Sequence, residues 1–280
     1  TATLVGRLVD AGHLRWDDTV GARLGPVAPE MRTEYRDANF RHLLSHRSGL
    51  PANLQLARVL SYPRQFEDAR ADRVRYVREA LAQAPVGPRE RTFEYSNSGY
   101  VVAAAMLETA LGERWEALLA RWVFAPLGLD SAGFGAPGRA GALEQPVGHG
   151  PGPQGALTPY RPGDPVNDNP AVLGPAGRVH MSLPDLLTYL AAHRDRTEFL
   201  KAETWAALHT APFGGDYALG WIVRPGGELW HNGSNMLWYA EALVRPASGV
   251  IAAAAVNSAG ASAAAAMALG RGVAAVEGQA

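Results

Sequence analysis

Apolar side chains recur at helical spacing along much of the chain. Leu4, Val5, Leu8 and Val9 share one 3.6-residue face, Thr1 or Thr3 is a candidate cap, and Gly12 is a candidate stop. Leu14 to Val20 reads as a short turn running into loop. Asn39 to His46 is predicted to be a short helix closed by Ser48-Gly49-Leu50-Pro51, where glycine and proline cannot continue it. Arg70 to Gln83 follows as a helix that ends in the breaker run Ala84-Pro85-Val86-Gly87-Pro88. Ser98 to Ala110 is a strongly apolar helix ending near Gly112, and Trp115 to Val123 is another, stopped by Ala125-Pro126-Leu127-Gly128. Gly133 to Pro175 is rich in glycine and proline and reads as a long surface excursion with a few short strands. Helices are expected again at Asp185 to His193 and Lys201 to His209.

The pattern then changes to strand-like runs at hairpin spacing: Tyr217 to Val223, Glu228 to His231, Tyr239 to Arg245 and Val250 to Asn257. Ala261 to Leu269 returns as a helix. A helical middle, late antiparallel strands and a closing helix predict an α+β architecture.

Composition narrows the function more than the fold. At 280 residues with 47% hydrophobic side chains, the chain has material for one large domain or two intimate subdomains. A formal net charge of −1 argues against a nucleic-acid partner, which needs a basic footprint. The densest basic stretch, Arg70 to Arg78, alternates with Asp72 and apolar residues and reads as a solvated helix face. The absence of cysteine removes disulfides, thiolate catalysis and cysteine-zinc sites. The alanine-rich tail from Ile251 to Val276 is interrupted by Asn257, Ser258, Gly260, Gly270 and Arg271, so no membrane span is expected. Thr1 to Asp10 lacks the features of a signal peptide. A periplasmic or secreted protein would carry its signal upstream, and a protein without one would be cytoplasmic.

Three segments carry candidate chemistry. His42 and His46 lie four apart, but a zinc protease needs glutamate where Leu43 stands. A buried helix end with satisfied polar groups is the preferred reading, and no metal or cofactor is expected. Tyr95-Ser96-Asn97 sits between an extended stretch and an apolar helix. There a phenol can handle a proton and the Asn97 amide can hold a carbonyl. His231-Asn232-Gly233-Ser234 lies between two strand-like runs, where the glycine admits a substrate backbone to an edge and the histidine is a polar, partly cationic group. Taken singly, the alternatives are a packed aromatic and a tight hairpin turn. A nucleophile elbow is absent: Ser258 comes nearest, with Gly260 after it but Val256 before it.

Together these segments resemble the class C β-lactamase and D-alanyl-D-alanine carboxypeptidase family of serine hydrolases, including its esterase and D-aminopeptidase relatives. The resemblance runs along essentially the whole chain. It is carried by Leu43-Leu44-Ser45-His46 to Pro51, Tyr95-Ser96-Asn97-Ser98-Gly99-Tyr100, Pro126-Leu127-Gly128-Leu129, Pro175-Ala176-Gly177-Arg178 to Leu186, Leu219-Gly220-Trp221 and His231-Asn232-Gly233. It implies a β-lactamase/transpeptidase-like fold, an antiparallel sheet flanked by helices with a mostly helical subdomain. The helical, loop-rich part is expected at about 21–175 and the sheet part at about 1–20 and 176–280.

The resemblance also implies a mechanism, in which a serine attacks an ester, amide, D-peptide or β-lactam carbonyl and water releases the acyl-enzyme. Tyr95 would be the proton-shuttling base and Asn97 would bind the substrate amide. His231 would stand where relatives have lysine, with Asn232 and Gly233 beside the substrate. Ser234 would give one oxyanion N–H. The departures are two. Histidine and Asn232 weaken carboxylate binding and lean toward an esterase or peptidase. The Ser-x-x-Lys nucleophile is also absent: the single lysine, Lys201, has Glu198 three residues before it. The resemblance places Ser-x-x-Lys just before Thr1, so the chain is expected to be an N-terminally truncated enzyme without activity of its own. The alternative is a family member that binds ligand without catalysis. A small-molecule or peptide acyl substrate is the expected partner in either case.

Overall fold

The structure, a computed structural model, describes residues 1–280 except 65, 66, 143, 165, 236, 279 and 280. In chain order the principal helices are α1 (Ala2–Asp10), α2 (Phe40–Leu44), α3 (Arg70–Ala82), α4 (Asn97–Leu111), α5 (Trp115–Leu119), α6 (Leu183–Asp195), α7 (Ala202–Leu208) and α8 (Ser262–Glu277). The strands are β1 (Gly133–Phe134), β2 (Gly148–Pro151), β3 (Leu157–Tyr160), β4 (Val179–His180), β5 (Ile222–Arg224), β6 (Glu228–Ser234), β7 (Tyr239–Arg245) and β8 (Val250–Val256). The contacts divide the chain into two compact units. One holds 1–126, 170–176 and 198–221; the other holds 127–169, 177–197 and 222–280. Residues 1–20 fall in the first of these units.

The first unit is helical. Its core gathers Leu4, Val5 and Leu8 of α1, Phe40, Leu43 and Leu44 of α2, and nearly all of α4 from Val101 to Leu107. α1 ends in a Schellman motif: Gly12 takes φ 77° and donates to Val9, while His13 donates to Leu8. The stop signal acts as expected, but the start does not. Thr1 makes no side-chain cap, and its hydroxyl donates instead to the Pro175 carbonyl at 2.7 Å.

The basic stretch in α3 differs from the solvated face expected of it. Arg73 is fully buried and donates to Glu108 of α4 at 2.6 Å and to Glu116 of α5 at 2.8 Å. Burial pushes the Glu108 carboxyl up, and the guanidinium pulls it part of the way back. A sequence window sees alternating charge, whereas the helix turns one arginine of the set inward to join three helices.

The second unit holds the sheets. β5-β6-β7-β8 form an antiparallel sheet in sequential order, and short pairs join β1 to β4 and β2 to β3. Both α6 and α8 pack against β7 and β8. On the α8 side, Leu243, Val250 and Ala254 meet Ala265, Leu269 and Val273, with Trp230 and Tyr239 at the margin. α8 runs well past the expected end at Leu269, because Gly270 and Gly272 keep helical geometry there. The segment Ala259–Glu277 is long and apolar enough to cross a membrane by length and composition, which the broken appearance of the sequence hid. In the fold it uses one face against the sheet.

The expected strand Tyr217 to Val223 begins only at Ile222. Tyr217, Ala218 and Leu219 are buried loop, and Gly220 interrupts the run at φ 89°, a conformation that a side chain would strain. A Cβ there would also stand 3.3 Å from the Tyr100 hydroxyl.

Candidate functional site

In the first unit, Tyr95-Ser96-Asn97 forms the entry to α4. Ser96 has extended backbone angles and caps the helix: its Oγ accepts the Gly99 N–H at 3.0 Å and donates to the Pro51 carbonyl at 2.7 Å. Ser98 is buried, with Oγ 2.9 Å from the Tyr76 hydroxyl, and its N–H reaches the Ala52 carbonyl at 3.2 Å. Tyr100 donates to the Leu44 carbonyl at 3.0 Å. Gly99 lets the helix close on α2, since a Cβ would stand 2.9 Å from the Leu43 carbonyl oxygen.

These bonds turn Ser96 and Ser98 inward and leave Tyr95 and Asn97 outward. Tyr95 is 45% exposed. Asn97 donates to the Asn53 side chain at 3.1 Å. Burial pushes the Tyr95 phenol above its ordinary range, so it is protonated at neutral pH.

The flanking histidines differ from each other. His42 lies inside α2 and forms a capping box with Asn39: its Nδ1 accepts the Asn39 N–H at 3.1 Å, and its Nε2 lies 2.9 Å from Glu90. Its ring stacks on Phe213, and burial lowers its pKa while Glu90 opposes the shift. His46 lies beyond the helix end, in left-handed geometry, against Tyr95. Among the described residues no cluster of three His, Cys, Asp or Glu side chains is placed to hold a metal ion.

In the second unit, His231-Asn232-Gly233-Ser234 ends β6. The β5 ladder stops at Ile222 opposite Trp230, whereas pairing with β7 continues to Ser234 opposite Tyr239. Residues 231–234 therefore lie in the part of β6 that extends beyond its β5 ladder. Around the position a Gly233 Cβ would take there is open space.

Strand alternation separates the side chains. Asn232 and Ser234 pair with Glu241 and Tyr239 and share the face of Trp230, while His231 and Gly233 take the other face. Asn232 donates to the Tyr239 hydroxyl at 3.0 Å. His231 is half-buried, and desolvation lowers its pKa, so the ring is neutral at pH 7. The strand end is held by Asn235, which donates to Asp168 at 2.8 Å and accepts from the Leu237 and Trp238 N–H groups. Asp168 is itself paired with Arg178 at 3.2 Å.

Sequence reasoning missed Ser96, Asn235 and Asp168. A serine one residue before the helix is a cap signal, and it was legible. The Asn235–Asp168 contact spans 67 residues and leaves no local signal.

The family model described as Beta-lactamase matches residues 1–275. Penicillin-binding protein 4 of Amycolatopsis lactamdurans is 30% identical over 92% of this chain and 69% of its own length. The octameric penicillin-binding protein homologue from Pyrococcus abyssi superposes with a TM-score of 0.70 at 22% identity, over 92% of this chain and 60% of that one. A D-stereospecific amidohydrolase from Streptomyces sp. gives 0.70 at 21% identity, over 91% of this chain and 77% of that one.

Proposed function

From the premise that this chain belongs to the Beta-lactamase family, we propose that it supplies the proton-transfer and substrate-binding part of a serine acyl hydrolase acting on an amide or ester. The carrying observation is the entry to α4. Its bonds spend both serines inward and hold Tyr95 and Asn97 at the surface.

In the proposed reaction a serine oxygen adds to the substrate carbonyl, and its proton passes through the Tyr95 phenol to the departing amine or alcohol. Water then adds to the acyl-enzyme and releases the acid. Asn97 holds the substrate amide.

A Tyr95 phenol raised by burial is a poor base. It needs a cation beside it, and the sequence holds no Ser-x-x-Lys to supply one. The serine nucleophile and this cation are accordingly not assigned to any of these 280 residues.

A neutral, half-buried His231 is a weak counter-ion for a carboxylate. Amides and esters without a carboxylate beside the scissile bond are the preferred substrates. A second reading, a family member that binds without catalysis, is favoured by the missing Ser-x-x-Lys alone.

One experiment separates them: fluorophosphonate labelling of the protein from its native source, with intact mass and N-terminal sequencing. A single labelled serine within Ser-x-x-Lys supports the hydrolase. No label on a protein that begins at Thr1 supports the binding protein.

A further inference from the structure

His46 follows the end of α2 and has φ 59°, in the left-handed region. A residue with a Cβ pays roughly 1–2 kcal/mol there, and such strain persists where the surroundings over-determine it. Here they do. The His46 carbonyl accepts the Glu94 N–H at 3.0 Å, and its Nδ1 accepts the Ser96 N–H at 2.9 Å. The two bonds straddle Tyr95. The imidazole centroid is 4.2 Å from the Tyr95 ring, with Tyr217 at 4.6 Å, Tyr100 at 5.3 Å and Phe93 at 5.9 Å on its other sides. An imidazole nitrogen that accepts an amide hydrogen carries none itself, so the neutral ring has its proton on Nε2.

We infer that His46 is a positioning residue: through its carbonyl and its unprotonated Nδ1 it fixes the backbone on both sides of Tyr95, and its ring face sets the tilt of the phenol. The left-handed turn is what makes both grips available to one residue, because it carries the carbonyl and the side chain to the same incoming segment, Glu94 to Ser96. This role rests on the reading of Tyr95 given above, but its test needs no turnover. Failure of that reading appears instead in the fluorophosphonate experiment.

The test uses the full chain labelled with ¹⁵N-histidine and ¹³C-tyrosine. Long-range ¹H–¹⁵N spectra at neutral pH are expected to show His46 with bare Nδ1 and protonated Nε2; the opposite tautomer overturns the inference without any variant. His46→Phe keeps an aromatic ring and removes the acceptor. It should speed Ser96 amide exchange about tenfold, the size of one net hydrogen bond, and move the Tyr95 ring signals, while α3 and α5 amides stay as they were. His46→Asn tolerates left-handed geometry and returns an acceptor near the Nδ1 position. It should hold Ser96 exchange within about threefold of the parent, well inside the value of one hydrogen bond. Unchanged Ser96 protection in His46→Phe means that the ring only packs, and overturns the inference. So does a His46→Asn that loses as much protection as one bond is worth, a result that stands even if His46→Phe does not fold.

Discussion

The two candidate motifs are held in opposite ways. Tyr95-Ser96-Asn97 is an irregular turn gripped from inside its unit by a helix cap, a left-handed histidine and the buried Ser98–Tyr76 hydroxyl pair. His231-Asn232-Gly233-Ser234 is a regular strand end, and its geometry follows from the β6–β7 ladder with one added anchor at Asn235. An irregular turn must be specified bond by bond, so each supporting residue carries energy. A strand end inherits its shape, so its own side chains are cheaper to change. The same contrast extends to the charges. The first unit buries Arg73 with two carboxylates, while the second keeps Arg245 in partly exposed pairs with Glu228 and Glu277.

The largest expected effect tests that contrast in charge. Arg73→Met leaves Glu108 and Glu116 without their cation and should cost about 3–5 kcal/mol in urea unfolding. Arg245→Met should leave the midpoint nearly unmoved. Equal losses would erase the distinction between the units.

A smaller effect tests the motifs themselves. Ser96→Ala removes the cap of α4 and should cost roughly 1 kcal/mol. Asn232→Ala removes an exposed contact and should stay within about 0.5 kcal/mol. A reversed order in thermal melts would show that the strand end, not the turn, is the specified element.

The smallest effect concerns pH. His231 and His42 both have lowered pKa values in the fold, chiefly through burial. The unfolded chain therefore binds protons first. Their stabilising contribution is complete above the unfolded value near 6.5 and declines as pH falls below it. Urea midpoints at pH 7.5 and 5.5 should show the decline, and His231→Asn should make it shallower. A midpoint that rises on acidification would mean that a cationic His231 is favoured by the fold.

Much of this was legible because it is periodic. α3, α4, β7 and β8 appear where the apolar spacing places them, and Gly12 ends α1 as a glycine stop should. The β-lactamase/transpeptidase-like fold was legible from the order of short motifs and is shared with the solved structures. What escaped is non-periodic or long-range. Tyr217 to Leu219 has strand composition, but Gly220 bends it into loop. His46 looked like a helix residue because nothing in Leu44-Ser45-His46-Arg47 announces a left-handed turn. The inward course of Arg73 depends on Glu108 and Glu116, 35 and 43 residues away, and no local window contains all three.

That buried triad also constrains how such a chain can change over generations. Replacing Arg73 alone strands two negative charges, and replacing either carboxylate alone leaves a mismatch beside the other. Each one-step path crosses a less stable intermediate, while the concerted exchange of all three for apolar residues does not. Descendants of this sequence should therefore keep Arg73, Glu108 and Glu116 as a block or lose them as a block, and a lineage caught with only one replaced should carry a compensating charge close by.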